Sequence, residues 1–360
     1  MIEPSRLRLL IIKRDKLGDL LLARPVIAQA RAIAPDAQIH LLANDYNAWV
    51  ARDHPALART WIYPRVRSGR RVHPLAALRQ IPLQWQLRRQ RFDWAFVMGG
   101  DESHRAIRRA IATGARRVVA YARDVASYGP LLTDPLEPPA DGHEMQRMLA
   151  LLAPLAQSLG GRRPDLAPVD AAPTFALPDE TREHAAHWLR ARGLLPRSYV
   201  VIGLGARRSK KQPSAAQVAR WSTRIRDERG LATVLMWTPG AATNAAYPGD
   251  DALAQAVLDR NLAHVHPFRG PIDPALGLIF SARTSVVPDS GLMHFAAASP
   301  GGVLGLFADP LDSAPAARWA PLGPRACYVE APKRIADVAD DDVFRMLDPL
   351  LDQVGPLASR

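Results

Sequence analysis

The chain has 360 residues, 48% of them apolar, and a formal net charge of +12 with a pI of about 10.5. That is enough for two ordinary domains, and the charge points to anionic partners: nucleic acid, phosphorylated substrates or an acidic membrane surface. The single cysteine, Cys327, excludes an intramolecular disulfide, and no uncharged apolar run reaches the roughly 20 residues of a membrane-spanning helix.

In chain order, LRLLIIK (7–13) reads as a buried strand, too short to serve as a signal peptide, and LLLARPVIAQARAIA (20–34) as a helix. QIHLLA is strand-like again, and FDWAFVMGG (92–100) ends a later strand in a glycine pair. GGRRPDLAPVDAAP (160–173) has neither helical nor strand period and reads as a linker. Beyond it the rhythm sharpens: SYVVIGLG is a strand, SAAQVARWSTRIRDERG a helix closing on Gly230, and LATVLMW a strand. DDALAQAVLDR is a helix, LAHVHP a strand, DPALGLIFSA a helix, TSVVPDSG a strand entering LMHFAAAS, and GGVLGLF a strand. Strands alternating with helices argue for an α/β protein with parallel sheets, here two doubly wound domains in series. Ligands in such folds sit beyond the carboxyl ends of the strands, so a cleft between two facing domains is the expected site.

Four stretches carry candidate chemistry. In KRDKLGDLLL, Asp19 follows Gly18 at the first helical turn, where it can cap free backbone N–H groups or act as a general base. In GLGARRSKKQPS (203–214), glycines precede Arg207, Arg208, Lys210 and Lys211 and a helix start, an arrangement suited to phosphate. The Walker pattern is absent and the dinucleotide pattern incomplete, so a solvated basic loop is the competing reading. In VVPDSGLMHFAAAS, Asp289, Ser290 and Gly291 form a tight turn with His294 one helical turn on, able to hold phosphate or ribose hydroxyls or simply to cap a helix. Arg59 to Arg91 holds nine arginines and no acid, with Trp61, Tyr63 and Trp85 interleaved. It suits an anionic ligand, a membrane surface, nucleic acid or plain solvent. His184 and His187 have no third ligand, and no metal site is expected.

Taken together and in order, these segments resemble glycosyltransferase family 9, the lipopolysaccharide heptosyltransferase family, over most of the chain. KLGDLLLARPV is similar to its opening motif and GHEMQRMLALLAPLAQSLG (142–160) to its H-E segment. GARRSKKQPS is similar to its glycine loop, PDSGLMHFAAA to its D-[ST]-G-x-x-H-x-A-A motif, and LFADPLDSAPAARWAPLG to its G-P-T-D-P run. The resemblance implies the GT-B architecture: two Rossmann-like doubly wound parallel-sheet domains facing across a cleft. The domains expected are 1–160 for the acceptor, a linker at 161–173, 174–335 for the nucleotide sugar, and a closing helix in 336–360 that packs back on the first domain. It implies an inverting, metal-independent transfer with no cofactor. A sugar, with heptose from ADP-heptose as the best choice, would move onto a lipopolysaccharide core or related surface glycan. Another nucleotide sugar or acceptor is the alternative, and a non-catalytic or nucleic-acid-binding basic protein is the alternative of another class.

By resemblance, Asp19 is the base and Lys210 holds the leaving diphosphate. Gly205, Ala206, Lys210, Asp289, Ser290, Gly291, Leu292 and His294 bind the donor. Lys16, Arg65, Arg67, Arg70 and Arg71 meet a glycolipid acceptor. The expected location is cytoplasmic, with peripheral contact to the inner-membrane surface and no nucleic-acid partner. Two departures stand out: Gln212 replaces the family's usual tryptophan, and Ala242 and Thr243 stand after Trp237 where an acid is common.

Overall fold

Each half of the chain builds one six-stranded, all-parallel sheet, seen in a computed structural model that describes residues 6–68, 71–161, 173–206, 208–244, 249–312 and 315–352. The two compact units are Met1–Val169 and Asp170–Arg360. Most of the expected linker, 162–172, lies outside the described residues.

The first unit runs β1 (Arg8–Ile12), α1 (Leu17–Ile33), β2 (Gln38–Asn44), β3 (Leu57–Tyr63) and an antiparallel ribbon, β4 (Arg67–Ser68) with β5 (Arg71–Val72). It continues with α2 (Pro74–Arg89), β6 (Trp94–Val97), α3 (His104–Ala112), β7 (Arg117–Tyr121), β8 (Asp134–Leu136), α4 (Glu144–Ala150) and α5 (Ala153–Ser158). Its sheet order is β3-β2-β1-β6-β7-β8. The strands are almost continuously apolar because a parallel sheet covered by crossover helices is buried on both faces: Leu9, Leu10, Ile11 and Ile12 of β1 are all buried.

The second unit runs α6 (Asp179–Arg190), β9 (Tyr199–Gly203), a 3-10 turn at Ser209–Lys211, α7 (Ala215–Arg229), β10 (Ala232–Met236), α8 (Asp251–Leu258) and β11 (Val265–Phe268). Then come α9 (Ile272–Ser281), β12 (Ser285–Pro288), α10 (Gly291–Ala297), β13 (Val303–Ala308), α11 (Ala316–Trp319), β14 (Ala326–Ala331) and α12 (Asp340–Asp352). The order β11-β10-β9-β12-β13-β14 repeats that of the first unit. Gly230 ends α7 in the left-handed region at φ 65°, which glycine adopts without a Cβ penalty. The closing helix α12 belongs to the core of this second unit, where Val343, Phe344, Leu347 and Leu350 join Trp221 of α7 and Leu304 of β13. Asp340 fixes its start by accepting from the Trp221 indole N–H at 2.8 Å and pairing with Arg220.

Both sheets reverse strand order at their first strand, between β1 and β6 and between β9 and β12. That reversal leaves a crevice beyond the carboxyl ends of those strands, the usual ligand position in such sheets.

Candidate functional site

At the first crevice, β1 is followed by Lys13, fully buried, with its Nζ 3.0 Å from Asp15 Oδ2. The loop that follows is held by two buried asparagines at the end of β2. Asn44 donates its side-chain N–H to the Arg14 carbonyl at 2.6 Å, and Asn47 donates to the Asp15 carbonyl at 3.0 Å. The chain then enters α1, and Asp19 Oδ2 accepts the Lys16 N–H at 2.8 Å, so the capping role read from sequence is realised. Burial would lower the Lys13 ammonium, but Asp15, Asp19 and Glu144 together hold it above its usual range. Burial raises the Asp19 carboxyl above the ordinary aspartate value, with Lys13 offsetting part of the rise. Asp19 is therefore a carboxylate with a stronger hold on a proton than an exposed aspartate, the direction that favours a general base.

The opposite wall comes from the glycine pair after β6. The Gly100 N–H donates to the buried Glu144 Oε1 at 2.8 Å, and a Cβ at residue 100 would lie 2.1 Å from Glu144 Oε2. His143 caps α4 by accepting the Met145 N–H at 3.2 Å, which sets Glu144 in place. Two guanidiniums converge on Tyr63 at the end of β3: Arg14 Nε donates to its hydroxyl at 3.2 Å, and Arg109 lies 4.1 Å from its ring centroid.

Among the expected acceptor residues, Lys16 is exposed at the helix start, and Arg65 is paired with Asp45 at 2.7 Å while covering the Tyr46 ring. Arg67 and Arg71 lie on the β4–β5 ribbon, and Arg70 is outside the described residues.

At the second crevice, the close approach of Gly205 to Thr238, whose Oγ1 is 3.0 Å from where a Cβ would stand, explains a glycine after β9. Ala206 is buried beside it, and Arg207 is outside the described residues. The 3-10 turn then sends neighbouring lysines to different acids. Lys210 Nζ lies 2.5 Å from Asp309 Oδ2 and also pairs with Asp312, while the buried Lys211 pairs with Asp289. The hydrogen bonds that it donates to Asp309 and Asp312 raise the Lys210 ammonium, and Lys210 in turn holds both acids low. The Asp289 N–H is fixed to the Leu306 carbonyl at 2.9 Å. Ser290 occupies the N-cap position of α10, Gly291 and Leu292 open the helix half-buried, and His294 is buried one turn in.

The departures from the family pattern acquire a structural account. Gln212 bridges the Leu204 carbonyl at 2.9 Å and Asp250 Oδ1 at 2.5 Å. The acid missing at Ala242 and Thr243 is supplied to the end of β10 from further along. Asp250 Oδ2 accepts the Thr238 N–H at 3.0 Å, and Asp251 Oδ1 accepts the Trp237 indole N–H at 2.8 Å. Burial raises the Asp250 carboxyl. Asn44, Asn47, Glu144, Asp250 and Asp309 are thus candidate site residues that the motifs did not single out, because each acts on a partner distant in sequence or fixes a loop from below. The glutamate of the H-E pair was the one visible hint.

Comparison with known proteins agrees with this fold. The chain superposes on a family 9 glycosyltransferase from Veillonella parvula with a TM-score of 0.77 at 15% identity, covering 97% of this chain and 98% of that one. It is similar to E. coli ADP-heptose lps heptosyltransferase II, at a TM-score of 0.68 and 20% identity over 96% and 98% of the two chains. It is also similar to E. coli heptosyltransferase WaaC with ADP, at 0.70 and 18% over 96% and 100%. At these identities the likeness is one of fold. No curated protein matches the sequence. The sequence profile of glycosyltransferase family 9 (heptosyltransferase) matches residues 81–338, more than two thirds of the chain, and the protein therefore belongs to that family.

Proposed function

We propose that the protein is an inverting sugar transferase in which Asp19 is the general base and Lys210 meets the leaving diphosphate. The observation that carries the reading is Asp19 itself: a half-buried carboxylate raised by desolvation, beside a buried lysine, at the carboxyl end of β1. The acceptor hydroxyl oxygen attacks the anomeric carbon of the donor. Its proton passes to Asp19, and the bond from that carbon to the phosphate oxygen breaks with its electron pair leaving on the diphosphate. Attack opposite the leaving group inverts the centre. Charge gathering on the diphosphate is met by Lys210 and by the backbone N–H groups of Ser290 and Gly291 at the start of α10, without recourse to a metal. Lys16, Arg65, Arg67, Arg70 and Arg71 serve an anionic glycolipid acceptor at the cytoplasmic membrane face, with Arg14 and Arg109 around Tyr63 added to that set.

ADP-heptose is the proposed donor and a lipopolysaccharide core the proposed acceptor. Support comes from family membership and from the similarly folded heptosyltransferase II, named for ADP-heptose, and WaaC, solved with ADP. The test is a thermal-shift screen against ADP, UDP, GDP and CDP, with Asp289→Ala alongside. A ligand bound only by the folded form raises the midpoint. A shift with ADP that the variant loses is the expected result. A shift with another diphosphate alone discards ADP-heptose.

A further inference from the structure

Helix α2 carries apolar residues on opposite faces. Ala76, Leu83 and Leu87 turn inward, where Leu87 joins the core of the first unit. On the other side Leu75, Leu78, Ile81 and Trp85 are 66%, 61%, 65% and 56% exposed. At 3.6 residues per turn these four fall within about 120° of arc and run about 15 Å along the helix. A contiguous exposed apolar stripe marks a surface that meets something.

The charges around the stripe identify that something. At the same helical pitch Arg79 and Arg88 border it on its two sides, and Arg89 sits within it, its guanidinium 3.8 Å from the Trp85 ring centroid. Between Arg59 and Arg91 there are nine arginines and no acid. A second copy of the chain would bring the same cations against themselves. An anionic bilayer surface satisfies both halves at once: the stripe enters the headgroup boundary and the arginines meet lipid phosphates. Arginine stems and a tryptophan ring are suited to that depth, apolar in body and polar at the tip.

We infer that α2 is an in-plane membrane-docking helix that seats the first unit on anionic lipid through Leu75, Leu78, Ile81 and Trp85. No described helix is long and apolar enough to cross a membrane, so this contact is peripheral. The inference deepens the proposed glycolipid acceptor and rests on it for its purpose. Its assay contains neither donor nor acceptor, so either proposal can fail while the other stands.

The experiment is co-sedimentation of the full chain with phosphatidylcholine vesicles, with and without phosphatidylglycerol, across salt concentrations. The wild type is expected to bind the anionic vesicles, less as salt rises. Leu78→Glu with Ile81→Glu should cut partitioning about tenfold or more, with Leu78→Ser and Ile81→Ser as a gentler pair. Each of Arg79→Gln and Arg88→Gln should cost about fivefold. Arg190→Gln with Arg260→Gln, exposed cations of the second unit, should change nothing. These side chains are exposed, so circular dichroism and the thermal midpoint should hold. Failure of the wild type to bind, undiminished binding by the folded stripe variants, or a dimer that those variants dissociate would each overturn the inference.

Discussion

Replacing Asp19 by asparagine separates its cap from the base role proposed for it. The amide oxygen can still accept the Lys16 N–H now held at 2.8 Å, so α1 keeps its cap, worth about 1 kcal/mol. Lys13 keeps Asp15 at 3.0 Å and so is not left as an uncompensated buried charge. The sign of the stability change follows from the raised carboxyl. The folded chain binds that proton more tightly than the unfolded chain, so Asp19 favours the fold at low pH and opposes it as pH rises through the raised value. At neutral pH the variant should therefore unfold at the same temperature as the wild type or slightly higher. Loss of a general base should lower kcat by about 10²–10⁴-fold, equivalent to about 3–5 kcal/mol of barrier. In the wild type the acid limb of kcat/KM should lie above the ordinary aspartate range. The assay is release of nucleoside diphosphate in the presence of acceptor, beside a thermal melt. If Asp19→Asn turns over near the wild-type rate, the residue is a cap and nothing more.

Two further predictions concern the scaffold. Gly100→Ala puts a methyl 2.1 Å from the buried Glu144 carboxylate and removes its 2.8 Å bond from the Gly100 N–H, so urea unfolding should show a loss of about 1–3 kcal/mol. His40 is pushed down to about 4, by burial first and then by Arg59 and Arg8, and its Nδ1 accepts the Trp61 indole N–H at 3.0 Å. A histidine kept neutral by the fold contributes fully above about pH 6.5, and that contribution is lost as pH falls towards 4. Unfolding free energies from urea titrations across that window should fall by on the order of 2 kcal/mol, and His40→Gln should flatten the slope.

What was legible in the sequence follows the range of the interaction. The alternation of apolar runs carries the two sheets, because strand period, helix period and glycine stops are local. Asp19 and the Asp289–Gly291 turn were legible because each sits where a strand passes into a helix. Glu144 reaches Gly100 across 44 positions, Lys210 reaches Asp309 across 99, and Asp250 folds back on Gln212 across 38; no local pattern records such pairs. The packing of the closing helix is not legible for the same reason. Its apolar face shows that it packs, and its core contacts with Trp221 and Leu304 and the pairing of Asp340 with Trp221 and Arg220 show on what.

Lys210 and Lys211 are adjacent and alike, yet their settings assign them different roles. Lys211 and Asp289 are both largely buried, with side chains 10% and 16% exposed, and removing either leaves the other charge uncompensated. Lys211→Met should lower stability by on the order of 3 kcal/mol and should do so with no ligand present. Lys210 is held by Asp309 and by Asp312, whose side chain is 72% exposed, and such solvent-exposed pairs exchange at little cost. An incoming diphosphate can take the place of Asp312 without stranding a charge, since one anion replaces another around the same cation. Lys210→Met should therefore leave the melt unchanged and weaken ADP binding, and Asp312→Asn, which frees Lys210 in advance, should tighten it a few-fold. Thermal melts of the three variants, beside calorimetric titration of ADP into each, read both effects. If Lys211→Met abolishes binding at an unchanged midpoint while Lys210→Met binds ADP as the wild type does, the diphosphate is held by Lys211, and the exposed acids around Lys210 have no part in its binding.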